Sequence, residues 1–258
     1  VTDTNRFTSF DSDGFTLGDD EDVNENSDTL ASWNWKAGGS GSSNSDGSTT
    51  STVSANQTAG FSIVKYTGAD AVRTVGHGLG VKPNMIMVKR LGSNGAWQVY
   101  HSSLGATKYL SLDATIAATT STARWNDTEP TSSVFTLSTS AHVNESGDYI
   151  AYCLAEKKGY SKFDIYTGNN SSTGAFVYTG FTPAFVLIKR TDTTGDWRIY
   201  DNKRFRAGGP NNKLNYLEPN TSDVEASTDS GGSWDMLSNG FKFYTSEAQI
   251  NASGTYIY

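Results

Sequence analysis

With 258 residues, of which 36% are hydrophobic, 12% aromatic and 26 are Gly, the chain holds enough apolar material for one or two globular cores but few of the runs that favour long helices. Its net charge of -7 argues against general nucleic-acid binding, which rests on Lys and Arg neutralising phosphates, and no run approaches the roughly 18 apolar residues of a membrane-inserted helix. A single Cys excludes an internal disulfide and any multi-thiolate metal site, so stability has to come from core burial or from assembly.

Read in chain order, the sequence repeats itself. The opening stretch "GFTLGDDEDVNENSDTLASWNWK" matches a later one at a shift of 120, with Phe15, Leu17, Val23, Asn24, Glu25, Asp28 and Ala31 falling on Phe135, Leu137, Val143, Asn144, Glu145, Asp148 and Ala151. A gapless shift of 100 aligns Tyr66, Thr67 and Gly68 with Tyr166, Thr167 and Gly168, then Gly80 and Pro83 with Gly180 and Pro183. The same shift places Lys89 and Arg90 on Lys189 and Arg190, and Gly95, Trp97 and Tyr100 on Gly195, Trp197 and Tyr200. The stretch from Val134 recurs from Gly240 with the shift grown to 106 or 107. These matches divide the chain into the second half of an incomplete repeat (1–36), a linker (37–59), a first repeat (60–158) and a second repeat (159–258) that stops inside its closing strand. The natural polypeptide is therefore expected to run on past both ends.

The stretch from Lys36 to Gly60 is rich in Gly, Ser, Thr and Asn. It reads as a flexible linker, because such a composition cannot repay ordering entropy through burial. The alternative is an extended stretch over a domain surface, with "TSTVSA" supplying β propensity and Val53 the single apolar anchor. Met85–Val88 and Phe185–Ile188 are continuous apolar tetrads behind a Pro, which suits central strands buried on both faces. After each, "WQVY" and "WRIY" alternate so that Trp and Val or Ile share a face. Further strands are expected at Phe61–Tyr66, Tyr109–Asp113, Val134–Leu137, Tyr149–Leu154, Phe176–Tyr178, Lys213–Leu217, Phe241–Tyr244 and Thr255–Tyr258. Short strands separated by Gly, Asn and Ser predict an all-β chain of tandem, jelly-roll-like β-sandwich repeats of about 100 residues.

The phrases "TSFDSDGFTLG", "WNWKAGG", "SNSDGSTTSTVSANQTAGFSIVKYTG", "GHGLGVKPNMIMVKR", "TSSVFTL", "GYSKFDIYTGN" and "FVYTGFTPAFVLIKRTD" resemble the C-terminal region of large structural proteins of marine tailed phages. Those proteins are usually labelled tail-fibre or virion structural proteins and often carry a lectin-like laminin-G (concanavalin-like) domain ahead of this region. The resemblance covers nearly the whole chain. It implies a virion location, other virion proteins as partners, a homo-oligomer, and contact with a host cell-surface glycan; the alternative is a purely structural spacer or capsid decoration held by protein contacts.

The two copies also serve as controls on each other, since two sites rarely need the same group for the same ligand. Shared residues, namely Trp97 and Trp197, Tyr100 and Tyr200, and the Lys-Arg pairs, are read as packing, loop bracing or snorkelling cations. Differences are the better site candidates. His101 stands opposite Asp201, which opens a cationic loop; Asp201, Asn202, Lys203, Arg204 and Arg206 around Phe205 suit an anionic sugar or a neighbouring virion protein, with a solvated turn as the plain alternative. Trp125 and Trp234 favour sugar stacking if exposed and architecture if buried. Asp11, Asp13, Asp19, Asp20 and Asp22 supply hard oxygen ligands without EF-hand spacing, so a looser Ca²⁺ site stands against plain solubility; no other cofactor is expected. Cys153, in an apolar alternation, reads as a small buried hydrophobe. His77 in "GHGLG" lacks a dinucleotide fingerprint, and there is no HExxH, GxSxG or Walker pattern. The spacing of a glycosidase carboxylate pair cannot be read from sequence, and the expectation is a non-enzymatic protein.

Overall fold

The alternating Val, Ile and Tyr of residues 61–68 make one of the two longest strands of the computed structural model, which describes residues 5–204, 215–226 and 234–258. Contacts group the chain into two units, residues 1–35 and 36–258. The first holds a hairpin, β1 (Phe7–Phe10) and β2 (Phe15–Leu17), followed by one helical turn, α1 (Glu21–Asn24), which is capped by the Asp20 carboxylate accepting from the Asp22 amide at 3.0 Å. A short polar side chain at the N-cap satisfies a donor that the turn itself cannot.

The second unit begins with β3 (Ser42–Asn44), β4 (Ser51–Asn56), β5 (Phe61–Gly68), β6 (Arg73–Gly76), β7 (Met85–Arg90), β8 (Gln98–His101), β9 (Lys108–Ser111) and β10 (Thr119–Thr120). It continues through a helical turn, α2 (Thr122–Trp125), to β11 (Val134–Leu137) and β12 (Gly147–Leu154). Then come β13 (Ile165–Gly168), β14 (Phe176–Tyr178), β15 (Phe185–Arg190), β16 (Trp197–Asp201), β17 (Trp234–Leu237), β18 (Gly240–Phe243) and β19 (Gly254–Ile257). The all-β expectation is met, and most expected strands lie where alternation or an apolar run placed them. The strand expected at Lys213–Leu217 lies partly outside the described residues; Tyr216 and Leu217 make single bridges to Ala226 and Ile199.

Each half of this unit is a sandwich. A large antiparallel sheet ordered β10-β9-β8-β7-β12-β5-β4-β3 faces the pair β6-β11, and a sheet ordered β13-β19-β15-β16 faces β14-β18-β17. The sub-order β5-β12-β7-β8 thus recurs as β13-β19-β15-β16. Val64, Tyr66, Ile86, Val88, Tyr100, Phe135, Leu137 and Tyr149 fill one core; Tyr166, Val186, Ile188, Tyr200, Phe241, Phe243 and Tyr256 fill the other.

Residues 37–59 correct the linker reading. β4 pairs with β5 along Thr52–Asn56, β3 pairs with β4, and Val53 is buried in the first core. Main-chain hydrogen bonding to a pre-formed sheet, with one apolar anchor, orders a segment whose own side chains could not.

The repeated Tyr-Thr-Gly has a physical reason. Tyr66 Oη donates to the Val143 carbonyl at 2.6 Å, and Tyr166 Oη donates to Ile250 at 2.6 Å. Each phenol stacks on a second Tyr: Tyr149 lies at 5.3 Å and Tyr256 at 5.0 Å. A Cβ on Gly68 or Gly168 would lie 2.1 Å from the main-chain oxygen of Glu145 or Ala252, so only Gly permits the approach. Asn144 and Asn251 close the same turn, their amides donating to Ser138 O at 2.8 Å and Thr245 O at 2.6 Å.

The two large sheets are apolar on their outer faces as well. Met85, Val99 and Leu110 from the first pack with Trp197 and Ile257 from the second, flanked by Met87, Leu154, Phe163 and Leu187. This seam explains the apolar tetrads: alternate residues of β7 and β15 enter their own sandwich core and the seam. The Trp197 indole donates to Ser111 O at 2.8 Å across it, and main-chain bonds join Ala118 to Thr191 O at 2.9 Å and Gly195 to Thr115 O at 2.8 Å. The repeats read from sequence as consecutive modules are one unit in space.

Replacing Tyr66 or Tyr166 by Phe removes the donor and leaves a buried carbonyl unpaired. Each substitution should lower the unfolding free energy by about 1–2 kcal/mol in urea titration, with little change in slope.

Candidate functional site

β16 ends at Asp201, which is buried and braces the chain around itself. Its carboxylate accepts from the Lys203 and Arg204 amides at 2.9 and 3.1 Å and from Arg204 Nε at 2.7 Å. Arg204 also reaches Glu225 at 2.8 Å and the Ile199 carbonyl at 3.3 Å, while the Asn202 amide donates to Ala184 O at 2.9 Å. Arg204 holds the Asp201 carboxyl below the usual carboxylate range against the upward push of burial. Among the described residues of the cationic loop, Lys203 presents an exposed charge; Arg206 and Phe205 lie outside the described residues. Of the cations expected to grip an anion, Arg204 is therefore committed to its own loop.

His101 lies in the seam and is 1% exposed. Its Nε2–H donates to the main-chain oxygen of Tyr258 at 3.3 Å, and its Nδ1 accepts the Ser103 amide at 3.2 Å. Burial pushes its pKa down to about 4, so it is a neutral structural imidazole rather than a ligand contact. Trp125 and Trp234 are 2% and 0% exposed and meet Tyr100 and Tyr200 edge-on at 6.1 and 4.8 Å. The sugar-stacking reading of both is overturned, because a ring enclosed in a core presents no face to a glycan.

The acidic residues of the first unit do not converge. Asp11 accepts Thr16 Oγ1 at 2.7 Å and Ser9 Oγ at 2.9 Å, Asp20 caps α1, and Arg6 pairs with Asp20 and Asp22. Asp13 and Asp19 are exposed. Among the described residues no group of three or more His, Cys, Asp or Glu side chains is placed to hold a metal ion. The donor set thus does not fit the Ca²⁺ reading: carboxylates spent on hydroxyls, an amide and a guanidinium are not arranged around a common centre.

The shared cations behave as scaffold. Lys89 donates to Gly95 O, and Arg90 reaches Glu145 and Ser146 O. Arg190 reaches Asp192 and, at 2.9 Å, Ser253 O. Lys189 is fully buried, donates to Arg190 O at 2.6 Å, and is pushed by burial to a pKa of about 8. Cys153 is fully buried and burial raises its thiol to about 12, which leaves it inert at neutral pH. His77 is enclosed, accepting the Leu79 amide at 3.2 Å.

Two groupings escaped the sequence reading. In the second sandwich Arg198 is 6% exposed, lies 3.7 Å from the Tyr216 ring centroid, and pairs with Glu218 at 3.1 Å and Glu247 at 3.0 Å. Burial raises both carboxyls. In the first sandwich the same place holds Gln98, whose amide oxygen accepts from Arg124 Nε at 2.6 Å while that guanidinium lies 4.5 Å from Tyr109. A cation over a Tyr ring is kept and its supporting residue exchanged.

The other grouping is a surface. Phe176 and Tyr178, 47% and 63% exposed, share a face of β14, and Lys242, paired opposite Phe176, lies 5.2 Å from the Tyr244 ring. Strand pairing sets Val177 opposite Phe241 as Val75 is set opposite Phe135, so the counterparts of Phe176 and Tyr178 in the first sandwich are Thr74 and Gly76.

Residues 1–258 match the family model described as Domain of unknown function (DUF7483), and the chain belongs to that family. No curated protein and no solved structure matches it.

The buried imidazole sets a pH dependence. Unfolded, His101 protonates near 6.5; folded, only near about 4. The unfolded chain takes up the proton first, so stability falls as pH drops from 6.5 towards 4, by at most about 3 kcal/mol from this group. Urea titrations of the chain and of His101→Gln should converge at acid pH, with the variant showing the flatter profile across that window.

Proposed function

We propose that the chain is a non-enzymatic component of a tailed-phage virion appendage, tail-fibre-like, whose stacked sandwiches act as a structural spacer held by protein contacts. The observation that carries this reading is how the candidate polar groups are spent. Asp201, Arg204 and His101 each serve their own loop or the seam, and both candidate tryptophans lie inside cores. The resemblance of its sequence phrases to tail-fibre and virion structural proteins supports this location, and a second copy of the sandwich would extend a stalk without added chemistry. Immunogold labelling of purified particles with antibody against this chain should decorate an appendage; particles that carry no label would remove the reading.

A second reading, contact with a host-surface glycan, is favoured by one feature. Phe176, Tyr178 and Tyr244 beside Lys242 form an exposed aromatic and cationic surface on the second sandwich, of the kind on which pyranose rings stack. On a glycan array the spacer reading expects no saturable binding. Binding by the chain that falls at least about tenfold, roughly 1.4 kcal/mol, in Phe176→Ala/Tyr178→Ala would establish the glycan reading instead.

A further inference from the structure

The first unit carries the same turn as both sandwiches. In it the Asn24 amide nitrogen donates to Gly18 O at 2.8 Å, as Asn144 does to Ser138 O at 2.8 Å and Asn251 to Thr245 O at 2.6 Å. The main chain agrees: Asn24 N donates to Asp20 O at 3.0 Å, Asn144 N to Ser140 O at 2.8 Å and Asn251 N to Glu247 O at 2.8 Å. The hairpin β1-β2 likewise corresponds to β17-β18, with Phe15 and Leu17 on Phe241 and Phe243.

What differs is what each turn is packed against. In the sandwiches Phe135, Leu137, Val143, Phe241, Phe243 and Ile250 are at most 1% exposed. Phe15, Leu17 and Val23 are only half-buried, and Phe10, Leu30 and Trp35 are 83%, 53% and 43% exposed. Residues 147–154 form β12 because β5 and β7 pair with its two edges; residues 27–34, which match them, form no strand. A two-stranded hairpin with an apolar face is marginal alone.

We propose that the first unit is a docking surface for a first-half segment of this same repeat, a strand reading Tyr-Thr-Gly like residues 61–76. The sandwiches state the contacts it would make. Its Tyr hydroxyl would donate to the Val23 carbonyl, as Tyr66 and Tyr166 donate to Val143 and Ile250. Its Gly would lie against the main chain of Glu25, as Gly68 lies against Glu145. The amides after that Gly would donate to Asn24 O, as Ala69 and Asp70 donate to Asn144 O at 3.2 and 2.8 Å. Residues 28–35 would then become a strand paired to the incoming one. This inference does not depend on whether the sandwiches contact a glycan.

The test titrates a synthetic peptide of residues 61–76 into the isotope-labelled full chain. Saturable shift changes confined to residues 15–35 are expected, together with new amide-exchange protection at 28–35. The peptide with Tyr66→Phe should bind about fivefold more weakly, the loss of one hydrogen bond. A second arm joins the same sequence ahead of residue 1 through a Gly/Ser linker, so that weak affinity no longer limits occupancy. Protection at 28–35 in the fusion supports the proposal. Unprotected residues there, or peptide-induced changes that map to residues 36–258, overturn it.

Discussion

A phenol sealed inside a core must place its hydroxyl on an acceptor or lose that hydrogen bond, and here the acceptor is a main-chain carbonyl of the second-half turn. Tyr66 reaches 77 residues along the chain to Val143, and Tyr166 reaches 84 to Ile250. The bond ties β5 to the turn between β11 and β12, and β13 to the turn between β18 and β19, and the Gly two residues later lets the backbone pass against the same turn. Because the Asn of that turn uses its side chain to close the loop internally, the carbonyl before it is left facing the core and free to accept. Local turn chemistry and long-range closure are therefore one feature, which is why Tyr-Thr-Gly and the Asn are kept in both copies while the loops around them change length.

The second constraint is the apolar outer face of each large sheet. A sheet with one solvated face would alternate apolar and polar along its central strand. β7 and β15 do not, and Met85 and Leu187 pack into the seam that each sandwich forms with the other. The seam brings charge under control in different ways. His101 is held neutral; Lys189 keeps its ammonium at neutral pH, with burial opposing and the nearby Asp196 and Asp192 favouring the charge. Linked but independent modules would leave these residues in water and would have no need of either arrangement.

Strand positions were legible because apolar runs and alternation report burial directly. The central strands, their flanking Pro residues and the shared Trp-Tyr strands needed nothing further. The order of residues 37–59 was not legible from composition: Ser51–Asn56 is held by backbone pairing with β5, and a sequence carries no mark of which polar stretch finds an unpaired edge. Nor was the burial of Trp125 and Trp234. Each follows a polar segment, and the aromatic partner that encloses it, Tyr100 or Tyr200, lies 25 and 34 residues away.

The candidate ligand residues show what a difference between copies does and does not signify. His101 and Asp201 differ because one faces the seam and the other closes a loop, so the exchange reports environment rather than function. The same holds where Gln98 with Arg124 is replaced by Arg198 with Glu218 and Glu247. A guanidinium over a Tyr ring brings its charge into the sandwich from whichever strand or turn carries it, and the residues around it must change together: a cation entering from Arg124 needs the neutral Gln98 and Ser140, whereas one entering from β16 is buried deeply enough to require carboxylates. Such coupled exchanges conserve a physical arrangement. Phe176 and Tyr178, which stand where strand pairing places Thr74 and Gly76, conserve none: in the first sandwich the Asn44 side chain lies against Gly76, whereas in the second both rings are exposed. A substitution that gains nothing for its own fold is the kind that points outward.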